Sequence, residues 1–479
     1  MTFKNCHWIN LLFERFRITL LFALAACFLC SCHHSHEEEA VAFCKSAKSE
    51  FEAGNYAQAI ADSSKAIDLN PSFVGAYNLR GVAELSLHDF AGTIKDCSKA
   101  IELNPKSAFS YCVRGSAKRQ IEDYHGAIAD LDKAIALNLD SALVYEERGR
   151  AKIAIKDYPG ALGDLDEVIK LDPSKPNADK AEIYSLRGAT KLHLKDFKGA
   201  VVDFDKAVEL NPNAVDAFSH RGFARKKLKD YTAALADFDK AIDLNPKESG
   251  SYVDRGLIKN NLKDYDGALA DFNMAIELNT NNPVAYEGLG ATERHFKNYG
   301  KAMDNFNKAI EINPQDAWAY ACRGYLQNDL LQWQQALESF RKSLELDSSL
   351  DYSRLYIWLI RAQLGEQEAA TKELADYLNS SVGTKENDWP IHVGKFLIGT
   401  LSEEDVINVA NRLSKNLEEE DGQLCEAYYY IGMKHLLDGD KSGAVDFLQK
   451  CLDTGETRYL EYESAETEIQ KLKVNNKKQ

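Results

Sequence analysis

The sequence predicts an all-α solenoid of stacked antiparallel helix pairs, and three observations carry that prediction. The chain resembles itself at a period of 34 residues, each period repeats one pattern of aromatic and small residues, and most periods close on a proline. Asn-Pro or Asp-Pro recurs at Pro71, Pro105, Pro173, Pro212, Pro246 and Pro314, with Leu139 and Thr280 where two further prolines would fall. The one slip in register is a five-residue insertion, Pro176 to Lys180, which is expected in an inter-repeat loop.

Nine copies cover residues 40–350, at 40–73, 74–107, 108–141, 142–175, 181–214, 215–248, 249–282, 283–316 and 317–350. Position 4 of each copy is aromatic, from Phe43 and Tyr77 to Tyr320, and position 17 is aromatic from Tyr56 to Trp333. Position 8 is Ala47 in the first copy and glycine in the other eight, from Gly81 to Gly324. A glycine inside a helix costs about 1 kcal/mol against alanine, so eight of them imply a close helix-to-helix approach. The near-constant alanines at positions 20 and 27 leave room for it. The proline lacks a backbone N–H and stops the second helix. One hairpin cannot bury its own apolar face, so the copies are expected to stack and share a core.

A second recurrence is electrostatic. Position 7 is Arg80, Arg114, Arg148, Arg187, Arg221 and Arg255 in six successive copies, and position 23 of those copies is Asp96, Asp130, Asp164, Asp203, Asp237 and Asp271. The eighth copy loses both together, as Leu289 and Asn305, which predicts an Arg–Asp pair between the helices of each repeat. The ninth copy, with Arg323 and Ser339, breaks the rule.

The N-terminus is of another kind. Lys4, Arg15 and Arg17 precede an uncharged apolar run from Ile18 to Leu29. That run is too short to span a bilayer and is expected to be a secretory signal over residues 1–31. Leu29-Cys30-Ser31-Cys32 resembles the lipobox of bacterial lipoproteins, which makes Cys32 the expected lipidation site, with Cys27 as the alternative. An ordinary secretory signal or an uncleaved anchor is the other reading. Loss of residues 1–31 removes three bases and one acid, taking the net charge from −16 to −18. Residues 32–39, with His33, His34 and His36, are expected to be a polar tether, and no metal is assigned to them.

After Leu350 the pattern decays into a degenerate helical repeat and linker, 351–424, where Trp358 stands at the small position 8. A recognisable repeat returns at 425–458, and 459–479 is expected to be a capping helix and tail. Cys425 and Cys451 fall at positions 1 and 27 of that last repeat, adjacent ends of antiparallel helices, so either a disulfide or two buried thiols fits.

The 34-residue grammar resembles the tetratricopeptide repeat (TPR), and the resemblance implies a right-handed superhelical solenoid with a C-terminal capping section. It also implies that the first helix of each repeat lines a concave groove through positions 2, 5, 9, 12 and 13. Residues expected there to bind a partner are Asn78, Arg119, Gln120, Arg150, His193, Phe223, Lys226, Lys227, Asn260, Asn261, Arg294, Tyr325 and Asn328. Lys226, Lys227 and Arg294 in particular suggest an acidic partner segment. The asparagine at position 9 that a two-carboxylate clamp requires is missing from repeats two to nine. Trp389-Pro390, Cys425 to Gly432 and Tyr459 to Tyr462 are similar to the tail of bacterial TPR lipoproteins of the new-lipoprotein-I type. That likeness implies an outer-membrane, periplasm-facing adaptor that gathers cell-wall hydrolases and a protease, although this chain carries more repeats than that family usually does.

Composition narrows the function. The chain is 45% hydrophobic and 28% charged, as a folded protein is, and its net charge of −16 disfavours nucleic acid, which needs clustered Lys and Arg. The sequence lacks HExxH, GxSxG and the Walker phosphate loop. The expectation is a non-enzymatic scaffold, without cofactor or small-molecule substrate, that binds other proteins or peptide segments and reaches the membrane through an N-terminal lipid. An assembly or pilotin-like lipoprotein is the alternative, and a cell-wall-active enzyme is less favoured.

Overall fold

The computed structural model describes residues 34–173, 175–380, 388–413, 417–456 and 460–476. Those residues form helices and no strand. The signal and both lipidation candidates, Cys27 and Cys32, lie outside them. Two compact units divide the chain, the first ending at Lys229 and the second beginning at Asp230.

In the first unit the helices pair as α1 (His34–Glu52) with α2 (Tyr56–Leu69), α3 (Val74–Ser86) with α4 (Phe90–Leu103), and α5 (Ala108–Gln120) with α6 (Tyr124–Ala136). Next come α7 (Ala142–Ala154) with α8 (Tyr158–Leu171), α9 (Asn177–His193) with α10 (Phe197–Leu210), and then α11 (Val215–Lys227). The second unit opens on α12 (Tyr231–Leu244), followed by the pairs α13 (Ser249–Asn261) with α14 (Tyr265–Leu278), α15 (Pro283–His295) with α16 (Tyr299–Ile312), and α17 (Ala317–Asp329) with α18 (Trp333–Leu346). The degenerate section supplies α19 (Asp351–Gln363), α20 (Gln367–Ser380), α21 (Trp389–Leu397) and α22 (Glu403–Leu413). The chain then forms the hairpin α23 (Leu417–Leu437) with α24 (Lys441–Asp453), and ends on α25 (Leu460–Asn476).

Each hairpin turn follows one local recipe. Position 15 takes a left-handed backbone, and in repeats two to nine that residue is not glycine: His88, Glu122, Lys156, Lys195, Lys229, Lys263, Lys297 and Leu331 all have φ near 60°. Position 16 is then the N-cap of the second helix. Asp89, Asp123, Asp157, Asp196 and Asp264 each accept the backbone N–H three residues on, at 2.9–3.0 Å. At the far end, Asn70, Asn104, Asn211 and Asn245 accept the N–H two residues on, across the proline, in a turn that closes the helix.

Glycine at position 8 is needed to different degrees. A methyl group on Gly290 would meet the Phe306 ring at 2.7 Å and one on Gly324 the Phe340 ring at 2.8 Å, whereas on Gly149 its nearest neighbour is Asp164 Cβ at 3.3 Å. Gly290→Ala should therefore lower stability by about 1–2 kcal/mol despite the better helix propensity. Gly149→Ala should be close to neutral. Urea titration of the two variants checks the contrast; equal effects would mean that the aromatic at position 24 does not set the need for glycine.

Three expectations are corrected. The tether does not extend to residue 39, because α1 already begins at His34 and runs into the first repeat without a break. The insertion Pro176–Lys180 lengthens a helix instead of a loop: Pro176 is the N-cap of α9, and Asp179 in the first turn complements the helix dipole. The last repeat does not start at Cys425, since α23 begins eight residues earlier at Leu417. Ser402 and Asp405 form a reciprocal cap at the start of α22, exchanging bonds of 3.0 and 3.1 Å.

The largest apolar core lies in the second unit, around Trp358, Tyr356, Tyr429 and Tyr430. Trp358 is 1% exposed and donates from Nε1 to Thr371 Oγ1 at 3.1 Å. Cys425 and Cys451 are both buried there with their sulfurs 3.2 Å apart.

Candidate functional site

The arginines at position 7 reach further than one repeat. Arg187 donates from Nε and Nη2 to Asp203 at 2.9 and 2.5 Å, and from Nη1 to Asp166 of the preceding repeat at 2.6 Å. Arg80 and Arg114 do the same with Asp96 and Asp130, and their third bond goes to Ser64 and Ser98. Arg148 pairs with Asp164 and Asp132, and Arg255 with Asp271 and Asp239. Arg221 meets Asp205 at 2.7 Å in the first unit; Asp237 belongs to the second. Every one of these guanidinium groups also lies over the aromatic ring at position 4, as Arg187 does over Tyr184 at 5.4 Å.

Two members of this constellation escaped the sequence reading. Position 25 of the preceding repeat is Ser64, Ser98, Asp132, Asp166, Asp205 and Asp239, a recurring acceptor that signals the link between repeats. Position 11 adds Lys118, Lys152, Lys191 and Lys259, each 2.7–2.9 Å from the same position-23 aspartate. In the ninth repeat Arg323 donates instead to Ser339 and to Asn307, both at 3.1 Å, so the link survives without the ion pair.

The first-helix residues expected to line the groove divide by unit. In the first unit Asn78 accepts from Ser110 Oγ at 2.6 Å, and Arg119 donates to Glu147 of the next repeat at 2.7 Å. Arg150 is held by Glu146 and Glu182; burial by itself would lower its pKa, but the charges and hydrogen bonds of these two carboxylates together push it further up. His193 stacks on Tyr158, with ring centres 4.4 Å apart, and Gln120 is half-buried. Lys226 and Lys227 both stand over the Phe223 ring at 5.2 Å, and Lys227 is exposed.

In the second unit Asn260 accepts from Thr292 at 3.1 Å, Asn261 is exposed and Asn328 half-buried. Two residues there do not face an open groove. Tyr325 is 4% exposed, packed edge-on against Phe340 and Tyr356, so it belongs to the core. Arg294 is 5% exposed: it donates to Asp329 at 2.6 Å, and its Nη1 meets Glu463 of α25 at 2.6 Å. The chain's own last helix has reached it first.

Beside Arg294 on the same face, Glu287 is buried. Burial and then the charge of Asp316 push its carboxyl up to about 8. The unfolded chain releases this proton near pH 4.5 and the folded chain holds it until about pH 8, so stability falls as pH rises between the two. Glu287→Gln is expected to flatten that slope and to raise stability at pH 8 by roughly 1–2 kcal/mol. Thermal melts of both proteins at pH 4.5 and 8 check it.

Models of the tetratricopeptide repeat match residues 44–108, 112–176, 181–214, 215–248, 253–317 and 305–338, together more than half of the chain. The chain belongs to the tetratricopeptide repeat family. Among curated proteins, the lipoprotein NlpI homolog of Haemophilus influenzae is 25% identical over 127 residues, which are 26% of this TPR chain and 39% of that relative. The match thus spans less than half of that relative's length.

Of solved structures, the TPR protein YrrB is 22% identical, covering 40% of this chain and 95% of its own, with a TM-score of 0.37. PilF of Pseudomonas aeruginosa is 20% identical over 45% of this chain and 95% of its own, at a TM-score of 0.38, and yeast Tom70 is 18% identical over 92% and 96%, at 0.34. TPR arrays present helix faces to other proteins, and this chain is a protein-interaction scaffold of that kind. Among the described residues no helix is long and apolar enough to cross a membrane.

Proposed function

We propose that this TPR chain is a lipid-anchored adaptor of the bacterial cell envelope, facing the periplasm from the outer membrane, which gathers cell-wall or protease components on its first-helix faces. The observation that supports it best is the conjunction of a lipobox-like Leu29-Cys30-Ser31-Cys32 with an uninterrupted array of repeats directly behind it. The likeness to an NlpI-type lipoprotein points the same way. Binding rests on the Phe223, Lys226 and Lys227 patch, which offers an aromatic face with two cations to an acidic segment.

Labelled palmitate should enter the wild-type protein and be lost in Cys32→Ser; label that survives this change, or that is lost only in Cys27→Ser, refutes Cys32 as the anchor. Affinity capture from crosslinked envelopes should lose its partners when Lys226 and Lys227 are both changed to Glu, with helicity unchanged. Normal capture by that double variant places binding elsewhere on the array.

A further inference from the structure

The second unit carries an acidic helix on a basic face. On α15 and the turn after it, Arg294, His295 and Lys297 project toward α25. Glu463 lies 2.6 Å from Arg294 Nη1 and 3.1 Å from His295 Nδ1, and Glu466, one turn on, lies 3.0 Å from Lys297 Nζ. The spacing is i,i+3, so both carboxylates occupy one face of α25. Ser464 adds a bond to Asp329 at 3.2 Å, and Lys263 donates to the Gly455 carbonyl at 3.0 Å. His295 is fixed from behind by Tyr265, with ring centres 3.5 Å apart.

This contact joins a non-repeating helix to the repeats through ion pairs, and it leaves a cavity. About 250 Å³ remains beside the two helices, lined by Tyr299 and Tyr462 as well as by the ion pairs. The apolar grip of α25, through Ala465 and Ile469, belongs to the C-terminal core around α23 and α24. Withdrawal of α25 would leave no orphan on the basic face. Arg294 keeps Asp329, bound through Nε at 2.9 Å and Nη2 at 2.6 Å, and the site then opens to water.

We infer that the face formed by Arg294, His295 and Lys297 is a docking site for an acidic helix of a partner protein, held closed by α25 acting as a built-in competitor. The incoming helix must carry two carboxylates three residues apart, as Glu463 and Glu466 are, and its binding releases the C-terminal helix. The inference deepens the adaptor reading by naming a second site and its ligand. It is independent of the anchor and of the Phe223 patch.

The test uses the full chain with Glu463→Lys and Glu466→Lys, which sets two lysines against the three bases and expels α25. A fluorescent peptide with the wild-type sequence of residues 457–479 is the probe. Its anisotropy should show binding to the double variant at least tenfold tighter than to the wild-type chain, weakening as salt is raised. Equal binding to both chains, or to neither, overturns the inference.

Should the double variant fold poorly, amide exchange on the wild-type chain decides. The amides of α25 should exchange well before those of α23 and α24. Exchange of all three helices at one rate makes α25 a permanent cap and overturns the proposal. Loss of this site with normal capture through Lys226 and Lys227 would leave the adaptor reading intact.

Discussion

Arg187→Met is expected to cost about 3 kcal/mol, measured as the opening free energy of α9 and α10 by amide exchange. The aspartate it abandons is the reason. Asp203 is 1% exposed, and without the guanidinium only Lys191, at 2.7 Å, compensates its charge. Breaking a buried pair from one side costs roughly 3–5 kcal/mol because a desolvated charge is left behind; the lysine brings this case to the lower end. The partner on the preceding repeat behaves differently, since Asp166 is more than half exposed. Asp166→Asn should cost under about 1 kcal/mol. Replacing both Arg187 and Asp203 by apolar residues should recover much of the loss, and a double-mutant cycle would show it. A loss below about 1 kcal/mol in Arg187→Met would mean that the pair behaves as a surface ion pair. Exchange adds the location of the loss to its size, because a solenoid opens piecewise.

Trp358→Ala is expected to cost about 4 kcal/mol and to act on the C-terminal section alone. The indole is 1% exposed, among the largest side chains of a core shared by α19, α20 and α23. Its removal forfeits both the buried area and the packing around the void. It also leaves Thr371 without the N–H it now accepts. Exchange should rise in α19 and α20 while α3 to α8 in the first unit keep their protection. A loss under about 1 kcal/mol would indicate that the site collapses around the missing ring and that the tryptophan is a filler.

How much of this was legible beforehand varies along the chain. The repeat hairpins were readable because the same small set of contacts recurs every 34 residues, so each residue type at positions 4, 8, 17 and 20 is sampled nine times. The same redundancy exposed the Arg–Asp pairing within a repeat. It hid the second partner at position 25, because the acceptor there changes from Ser in two copies to Asp in the next four and lies in a neighbouring copy, where no pattern within one repeat would look for it. The insertion was misplaced for a local reason: Pro176 reads as a breaker, yet proline suits the start of a helix, and α9 simply begins earlier.

The candidate site was the least legible part. Arg294 stands at a groove-facing position by repeat arithmetic. What that arithmetic could not contain is Glu463, 169 residues further on in a section without periodicity, which turns an exposed base into a buried one. Tyr325 moved from groove to core for a similar reason, because Tyr356 and Phe340 close over it.

The sequence by itself determined the class of fold, the family, the turn chemistry and the residues of each hairpin, because all of these are decided by contacts within one period or between neighbours of identical pattern. Only the tertiary structure decided which helix faces remain open. That depends on where the last, non-repeating helix returns, and a single long-range ion pair in a non-periodic segment leaves no recurrence for a sequence to display.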